Sequence, residues 1–158
     1  MDTKVSCLHK NNNFGHTKEH RYLGYKAELS VKLHAALKDQ VNAIKRRQEF
    51  RPFAPVVMEE HAKDIFNMPV DKSPYMQYVI QCSKGTEYPA IIHKDGTSRV
   101  QTVNKRQHLG LYTLLNEFYK ETGCPMLLNT SLNIKGYPMV NTRKDATKFQ
   151  EKYKVKVF

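Results

Sequence analysis

The sequence predicts a mixed α/β fold, and three observations carry this prediction. Leu33, Leu37, Val41 and Ile44 recur at helical spacing, which predicts a helix that runs to about Arg47 and stops before the prolines that follow. Several short segments have the alternating or continuous apolar pattern of strands. A second apolar stripe of helical period follows them and stops near a Gly-Cys-Pro sequence. Helical and strand patterns therefore alternate along 158 residues, a length typical of one domain.

The remaining elements follow from local sequence. An extended segment is expected at 51–58, strands at 73–82, 88–93, 98–103, 125–129 and 154–158, and helices at 59–66, 111–119 and 144–153. The "KDGT" sequence contains an Asp-Gly pair, which predicts a hairpin between strands 88–93 and 98–103. Residues 1–30 are polar and lack a sustained period, so we interpret them as an irregular N-terminal segment and residues 31–158 as the folded domain.

Several classes of protein and site are excluded or disfavoured. No apolar run approaches the length of a membrane span, and the first 30 residues lack a signal peptide, so we expect a cytoplasmic protein without membrane contact. Cys7, Cys82 and Cys124 form no CxxC pair, which predicts neither a disulfide framework nor a zinc site. His16 and His20 form an HxxxH pair in irregular sequence, which does not favour a metal site. Neither GxxxxGK[ST] nor GxGxxG occurs.

The formal net charge of +11 indicates an anionic partner or a solvated basic surface without a partner. One basic cluster contains Lys45, Arg47 and Arg51. In an extended segment these three cations share one face, and cations that point the same way are favourable only around a polyanion. The alternative is a solvated basic helix end, which the helix dipole stabilises.

Two further polar clusters adjoin predicted strands. In "HKDGTSRVQT" the strand after the turn places Arg99, Gln101 and Val103 on one face, and the arginine can offer a fork of donors to phosphate or carboxylate. In "LLNTSLNIKG" a buried strand runs directly into amides and hydroxyls, the position at which α/β folds bind ligands. Ordinary turn chemistry is the alternative for this third cluster, because Asn, Ser and Thr are common loop residues.

These clusters together resemble the C-terminal domain of NodU/CmcH-type carbamoyltransferases. The resemblance runs from about residue 41 to residue 149 and consists of several blocks in the family's order. The blocks are "VNAIKRRQEFRPFAPVV", "SPYM", "AIIHKDGTSRVQTV", "TGCPMLLNTSLNIKGYPMV" and "DA" at 145–146.

The resemblance implies a YrdC-like fold, which is a twisted open mixed sheet with flanking helices around a basic cavity. It implies that the domain forms carbamoyl adenylate from ATP and carbamoyl phosphate, that pyrophosphate leaves, and that Mg²⁺ enters with ATP. A separate N-terminal domain of the sugar-kinase-like class would then transfer the carbamoyl group to an acceptor hydroxyl. The chain would thus be a carbamoyltransferase that is incomplete alone, with a sugar-kinase-like domain or subunit as its partner.

The resemblance also implies roles for individual residues. The YrdC-like KxR and SxN signature is similar to Lys45 with Arg47 and to Ser131 with Asn133. The residues implied to be catalytic are Lys45, Arg47 and Arg99. The residues implied to bind substrate or nucleotide are Arg51, His93, Asp95, Asn129, Thr130, Ser131 and Asn133. No metal ligand is implied.

Two other interpretations stay open. The first is a non-catalytic basic module that binds RNA or nucleotide, which the net charge of +11 would serve. The aromatic residues show no stacking pattern of a single-strand binder, so a nucleic-acid partner is not favoured. The second is a folded remnant whose site survives without activity.

Overall fold

The computed structural model describes residues 5–8, 22–25 and 33–157, and these ranges contain eight strands and four α-helices. The strands are β1 (Val5–Leu8), β2 (Tyr22–Tyr25), β3 (Ala54–Met58), β4 (Val79–Gln81), β5 (Thr97–Arg99), β6 (Gln101–Val103), β7 (Met126–Asn129) and β8 (Lys156–Val157). The helices are α1 (Leu33–Lys45), α2 (Ala62–Ile65), α3 (Leu109–Thr122) and α4 (Arg143–Tyr153). A mixed sheet has the order β6-β3-β7-β2-β1-β8, and β4 and β5 form a separate antiparallel pair. The predicted α/β class is confirmed.

Strands β3 and β7 are the buried part of the large sheet. They run antiparallel with Val56 opposite Leu127, and β6 pairs with the other side of β3 in parallel. Val57, Met126 and Leu128 belong to one hydrophobic cluster, whereas Val56 and Leu127 belong to another. Successive side chains of a strand point to opposite faces, so both faces of the sheet are covered here. This explains the continuous apolar runs from which the buried strand was predicted.

Helix α3 covers one of these faces, and its start and end follow the sequence. Leu111 and Leu115 pack in the same cluster as Val56. The His108 side chain caps the helix by accepting a hydrogen bond from the backbone N–H of Leu111 at 3.1 Å. Gly123 ends the helix with a left-handed φ of 70°, a conformation in which glycine avoids the steric cost of a Cβ. The predicted second helix is confirmed.

The C-terminal elements also agree with the sequence. Helix α4 begins with a capping box, in which Thr142 and Asp145 each bind the backbone N–H of the other, at 3.0 and 3.2 Å. Its apolar side buries Ala146 and Phe149 in the main core cluster. Strand β8 then pairs in parallel with β1 at the edge of the large sheet. No helix in the described part of the chain is long and apolar enough to cross a membrane.

The predicted hairpin is wrong, although its turn is present. Residues 88–93 contain a 3-10 helix, Pro89–Ile91, where a strand was expected. The predicted strand at 98–103 is divided into β5 and β6, with Val100 between them. Strand β5 pairs with β4, whereas β6 pairs with β3. Arg99 and Val103 therefore do not share a face as predicted: Arg99 is exposed and Val103 is buried. The partners of both strands lie far along the chain, so the local turn signal did not reveal them.

Three other boundaries differ from the prediction. Helix α1 ends at Lys45 and not near Arg47, because Arg46 adopts a left-handed φ of 52°. Of the predicted strand at residues 73–82, only Val79–Gln81 is a strand. Residues 1–30 were predicted to be irregular, but strands β1 and β2 lie within that segment and pair antiparallel with each other. The remainder of that segment lies outside the described residues.

Candidate functional site

A cavity of about 860 Å³ is lined by four separated parts of the chain. These parts are the loop between α1 and β3 with the first residue of β3, Met76, the turn and strand around residues 93–99, and residues 129–131 at the end of β7 and just after it. The predicted site residues that line the cavity are Arg47, Arg51, His93, Asp95, Arg99, Asn129, Thr130 and Ser131. Lys45 and Asn133 adjoin it through hydrogen bonds to Ser131. The fold thus brings together residues that are far apart in the sequence.

The loop after helix α1 is held by one fully buried amide. The Asn42 Nδ2 atom donates hydrogen bonds to the backbone oxygens of Glu49 at 3.2 Å and Arg51 at 3.1 Å. The backbone oxygen of Asn42 accepts a hydrogen bond from the Arg47 N–H at 2.9 Å. One side chain on a helix therefore fixes the course of the loop that carries both arginines, and such an anchor keeps the loop in a single conformation.

The arginines of this loop form no ion pair with an acidic side chain of the described residues. Burial lowers the pKa of Arg47, and the nearby positive charge of Arg51 lowers it further. The buried Nε atom of Arg47 has no hydrogen-bond partner, and its guanidinium lies 4.9 Å from the centre of the Phe53 ring. Within the described residues, no ion pair contains Arg47, Arg51 or Arg99. Two neighbouring guanidiniums with a free buried donor are suited to bind an anion.

Lys45 is buried and connects helix α1 to the segment after β7. Its Nζ atom donates to both the backbone oxygen and Oδ1 of Asn133, at 2.9 and 3.1 Å. It also contacts the backbone oxygen and Oγ of Ser131. The Ser131 hydroxyl in turn donates to Asn133 Oδ1 at 2.7 Å. The ammonium group therefore holds the loop that forms one wall of the cavity.

The turn before β5 is fixed by its own side chains. The Asp95 Oδ1 atom accepts hydrogen bonds from the Thr97 hydroxyl at 2.6 Å and the Thr97 backbone N–H at 3.0 Å. These bonds lower the pKa of the Asp95 carboxyl, the hydroxyl contributing most. The backbone N–H of His93 donates to the Thr97 oxygen at 2.8 Å and closes the turn. The carboxylate thus orders a turn that presents His93 to the cavity.

Asn129 is the last residue of β7, and its side chain is held by a hydrogen bond to Gln101. Its Nδ2 atom donates to Gln101 Oε1 at 2.6 Å and approaches the Met76 sulfur at 3.5 Å. Gln101 Nε2 donates to the backbone oxygen of Pro74 at 3.0 Å. Gln101 therefore connects the segment around Pro74 to the cavity wall.

Six lining residues were not predicted as site residues from the sequence: Phe50, Pro52, Phe53, Ala54, Met76 and Lys94. Phe50 and Met76 add apolar surface, and Lys94 adds a further cation. Lys94 could have been found, because it lies between two predicted site residues in the turn. Phe50 also stands inside a basic block, where an exposed aromatic residue is a signal for binding. Met76 lies in the "SPYM" block of the resemblance, but nothing in the sequence indicated that it would line the cavity.

The described residues contain no group of three or more His, Cys, Asp or Glu side chains arranged to hold a metal ion. Cys82 and Cys124 are buried, and burial raises the pKa of both thiols, that of Cys124 to about 11. Cys7 has no described side chain, and His16 and His20 lie outside the described residues.

The fold and site together define an α/β domain with a cavity lined by arginines and by a loop of amides and hydroxyls. The chain matches the family described as "Carbamoyltransferase C-terminus" over residues 2–158. The chain therefore belongs to this family, and the resemblance seen in the sequence is confirmed. The match begins at residue 2, so it includes the segment that the sequence analysis set apart from the folded domain.

Curated relatives give the same result. Nodulation protein NolO of Bradyrhizobium diazoefficiens is 39% identical over 131 residues, which are 80% of this chain and 24% of the relative. Nodulation protein U of Rhizobium tropici is 38% identical over 118 residues, 73% of this chain and 20% of the relative. The 3'-hydroxymethylcephem-O-carbamoyltransferase of Amycolatopsis lactamdurans is 33% identical over 131 residues, 83% of this chain and 25% of the relative. The chain spans about a fifth to a quarter of the length of these relatives.

Proposed function

We propose that this domain forms carbamoyl adenylate from ATP and carbamoyl phosphate in the arginine-lined cavity. The observation that carries the proposal is the convergence of Arg47, Arg51 and Arg99 on one cavity without an acidic partner among the described residues. Membership of the carbamoyltransferase family supports this chemistry over other uses of an anion site. We include the YrdC-like fold in the proposal, supported by the mixed sheet beside the cavity.

The proposed reaction has two steps. Water displaces phosphate from carbamoyl phosphate, which leaves carbamate. A carbamate oxygen then attacks the α-phosphorus of ATP, a new P–O bond forms, and the bond between the α- and β-phosphates breaks to release pyrophosphate. Both substrates are polyanions, so positioning and charge neutralisation would supply most of the catalysis. We expect Mg²⁺ to enter bound to the phosphate oxygens of ATP.

The arginines would bind phosphate oxygens in this reaction. Arg47 has a buried Nε donor without an acceptor among the described residues, and Arg51 lies close enough to lower the pKa of Arg47. A phosphate bound between them would accept from both guanidiniums and remove their mutual repulsion. Arg99 lies on strand β5 and would bind phosphate from another part of the cavity lining. Hydrogen bonds of His93 and Asp95 order the turn before this strand.

The loop after β7 would bind the remaining polar atoms of the substrates. Asn129, Thr130 and Ser131 line the cavity, and Asn133 supports Ser131. For Lys45, the contacts support a role in holding this loop, and its ammonium group adjoins the cavity through Ser131. Lys45, Ser131 and Asn133 of the KxR and SxN signature would thus act together, beside Arg47 of the same signature.

Another domain would transfer the carbamoyl group from carbamoyl adenylate to the acceptor. The relatives are about four to five times longer than the stretch they share with this chain, which leaves room for a sugar-kinase-like domain or subunit. The name of one relative specifies a hydroxymethyl group as its acceptor. We propose by analogy that an acceptor hydroxyl receives the carbamoyl group, in the cytoplasm.

An exchange assay tests the proposal directly. Labelled pyrophosphate should enter ATP when the chain is incubated with Mg²⁺ and carbamoyl phosphate, and exchange should stop when carbamoyl phosphate is omitted. Arg47→Ala and Arg99→Ala should each weaken ATP binding about tenfold or more, because hydrogen bonds to charged groups are strong. Arg106→Ala is the matched control, since Arg106 is exposed and does not line the cavity. ATP binding that is equal in all three variants would contradict the assignment.

The net charge of +11 favours a second candidate, a basic module that binds RNA or nucleotide without catalysis. Tight binding to single-stranded RNA that weakens steeply with salt, together with no exchange of pyrophosphate, would support the module. Binding of RNA by such a surface should respond to Arg106→Ala as much as to Arg99→Ala.

A further inference from the structure

The segment "SPYM" presents Met76 to the cavity in an unusual backbone conformation. Met76 has a φ of 54°, in the left-handed region that long side chains rarely adopt. Such a residue persists only where the surrounding structure holds it, and these residues concentrate at functional sites. Met76 also lines the cavity that holds the arginines.

The backbone before Met76 is fixed by a buried serine. The Ser73 hydroxyl donates to the backbone oxygen of Val100 at 2.8 Å, and the Ser73 N–H donates to the Thr102 hydroxyl at 2.8 Å. Ser73 itself is fully buried. The Gln77 side chain accepts a hydrogen bond from the Tyr75 N–H at 3.0 Å. Contacts on both sides of Met76 thus force the backbone into its left-handed turn.

The Met76 side chain is held by Asn129, which also lines the cavity. Asn129 Nδ2 approaches its sulfur at 3.5 Å, while Gln101 accepts from the same Nδ2 atom at 2.6 Å. Gln101 also donates to the Pro74 oxygen at 3.0 Å. A strained backbone and a positioned side chain together indicate that the segment serves to place the thioether in the cavity.

The cavity therefore has two kinds of wall. Arg47, Arg51 and Arg99 supply cations, whereas Met76 and Phe50 supply apolar surface. Phe50 is 65% exposed, so it is available to a ligand and contributes little to the core. A nucleotide has two matching parts, a charged phosphate chain and a flat base that stacks on aromatic side chains and packs against apolar ones. A cavity of about 860 Å³ is within the size range of small-molecule sites.

We propose that Met76 and Phe50 form the nucleobase subsite and so make the cavity select a nucleotide over a simple polyphosphate. This inference rests on the proposed function, because it concerns the ATP that the domain would bind. It assigns to the "SPYM" segment a role in specificity that its sequence alone did not indicate.

Calorimetric titration with two probes, ATP and inorganic tripolyphosphate, tests the subsite. Met76→Gly should weaken ATP binding about tenfold, the loss expected when one apolar side chain no longer packs against the base, and leave tripolyphosphate affinity unchanged. The melting temperature should not fall, because glycine adopts positive φ without strain. Phe50→Ala should show the same selectivity. Met76→Leu should keep ATP affinity, because it conserves apolar volume.

The outcomes separate this inference from the proposed function. Wild-type protein that binds neither probe overturns both. Wild-type protein that binds both probes, with Met76→Gly and Phe50→Ala affecting the two probes equally or not at all, overturns the nucleobase subsite and leaves the phosphate site standing. Arg47→Ala serves as the contrast, since it should weaken both probes.

Discussion

Asn42→Ala should both destabilise the protein and disturb the loop after helix α1 that carries Arg47 and Arg51. Asn42 is fully buried, and its Nδ2 atom donates to the backbone oxygens of Glu49 and Arg51. The substitution removes two hydrogen bonds and leaves two carbonyl groups without their partner.

The size of the effect follows from these contacts. Each hydrogen bond contributes about 1 kcal/mol net, and buried groups that lose a partner cost more. The Asn42 Oδ1 atom has no hydrogen-bond partner in the part of the chain that the structure describes, so its removal offsets part of the loss. We expect the free energy of unfolding to fall by about 2–3 kcal/mol, which corresponds to a melting temperature lower by about 5–10 °C at this chain length.

Urea unfolding followed by circular dichroism and tyrosine fluorescence is the suitable assay, since the chain has nine tyrosines and no tryptophan. Asn116→Ala is the matched control, because Asn116 lies on helix α3 and its side chain donates only to the neighbouring Glu117, at 3.4 Å. Its effect should stay within about 0.5 kcal/mol. Asn42→Ala should also weaken ATP binding, because the loop carries two of the arginines. Equal stabilities of the two variants would refute the role of the Asn42 amide as an anchor.

Three other predictions concern the turn, a helix cap and a thiol. Gly96→Ala and Gly136→Ala should each cost about 1–2 kcal/mol of left-handed strain, since φ is 80° and 84°. Gly96→Ala should cost more in urea unfolding, because its Cβ would lie 2.4 Å from Gln81 Nε2, whereas Gly136 has open space. The N-cap hydroxyl of α4 lowers the pKa of Asp145, so that stabilisation is present above the unfolded pKa and is lost as pH falls through the folded pKa. Asp145→Asn should therefore lower unfolding free energy near neutral pH, with the difference closing in acid. Burial raises the pKa of Cys124 to about 11, so alkylation at pH 8 followed by peptide mapping should find it unmodified in the folded protein.

Distinct results would contradict each of these predictions. Equal losses for the two glycine variants would show that the Gln81 side chain moves away at no cost. A stability difference for Asp145→Asn that persists unchanged into acid would mean that its charge is not what stabilises the helix. Labelling of Cys124 at the rate of an unfolded peptide would contradict its burial.

The parts of the fold that the sequence predicted correctly are those whose signal is local. The runs at β3 and β7 are continuously apolar because both sheet faces are covered, and the stripe of α3 matches one buried face. The hairpin failed for the opposite reason. The Asp-Gly turn forms, but the partners of β5 and β6 are β4 and β3, which the turn cannot specify. Strands β1 and β2 were missed because they lie in a polar segment without a sustained period, so that pairing with other strands, and not a local pattern, defines them.

The candidate site shows the same division. The charged and polar residues stood in recognisable blocks, so the sequence predicted most of those that line the cavity. Lys45 was predicted to be catalytic, and that role stays a prediction; its bonds to Ser131 and Asn133 join segments more than 80 residues apart, which no local pattern specifies. Met76 was missed because a left-handed methionine has no local signature.

The pairing of β1 with β8 has a consequence for how the chain is made. Ser6 is opposite Lys156. Strand β1, which is synthesised before the other described strands, therefore pairs on its outer side with β8, which is synthesised after them. Contacts between such distant segments form slowly, because a long loop must close first. Until residues 156–157 emerge, that side of β1 offers unsatisfied backbone groups to any neighbouring polypeptide. A nascent chain would therefore keep one exposed strand edge, open to self-association, until its synthesis reaches β8.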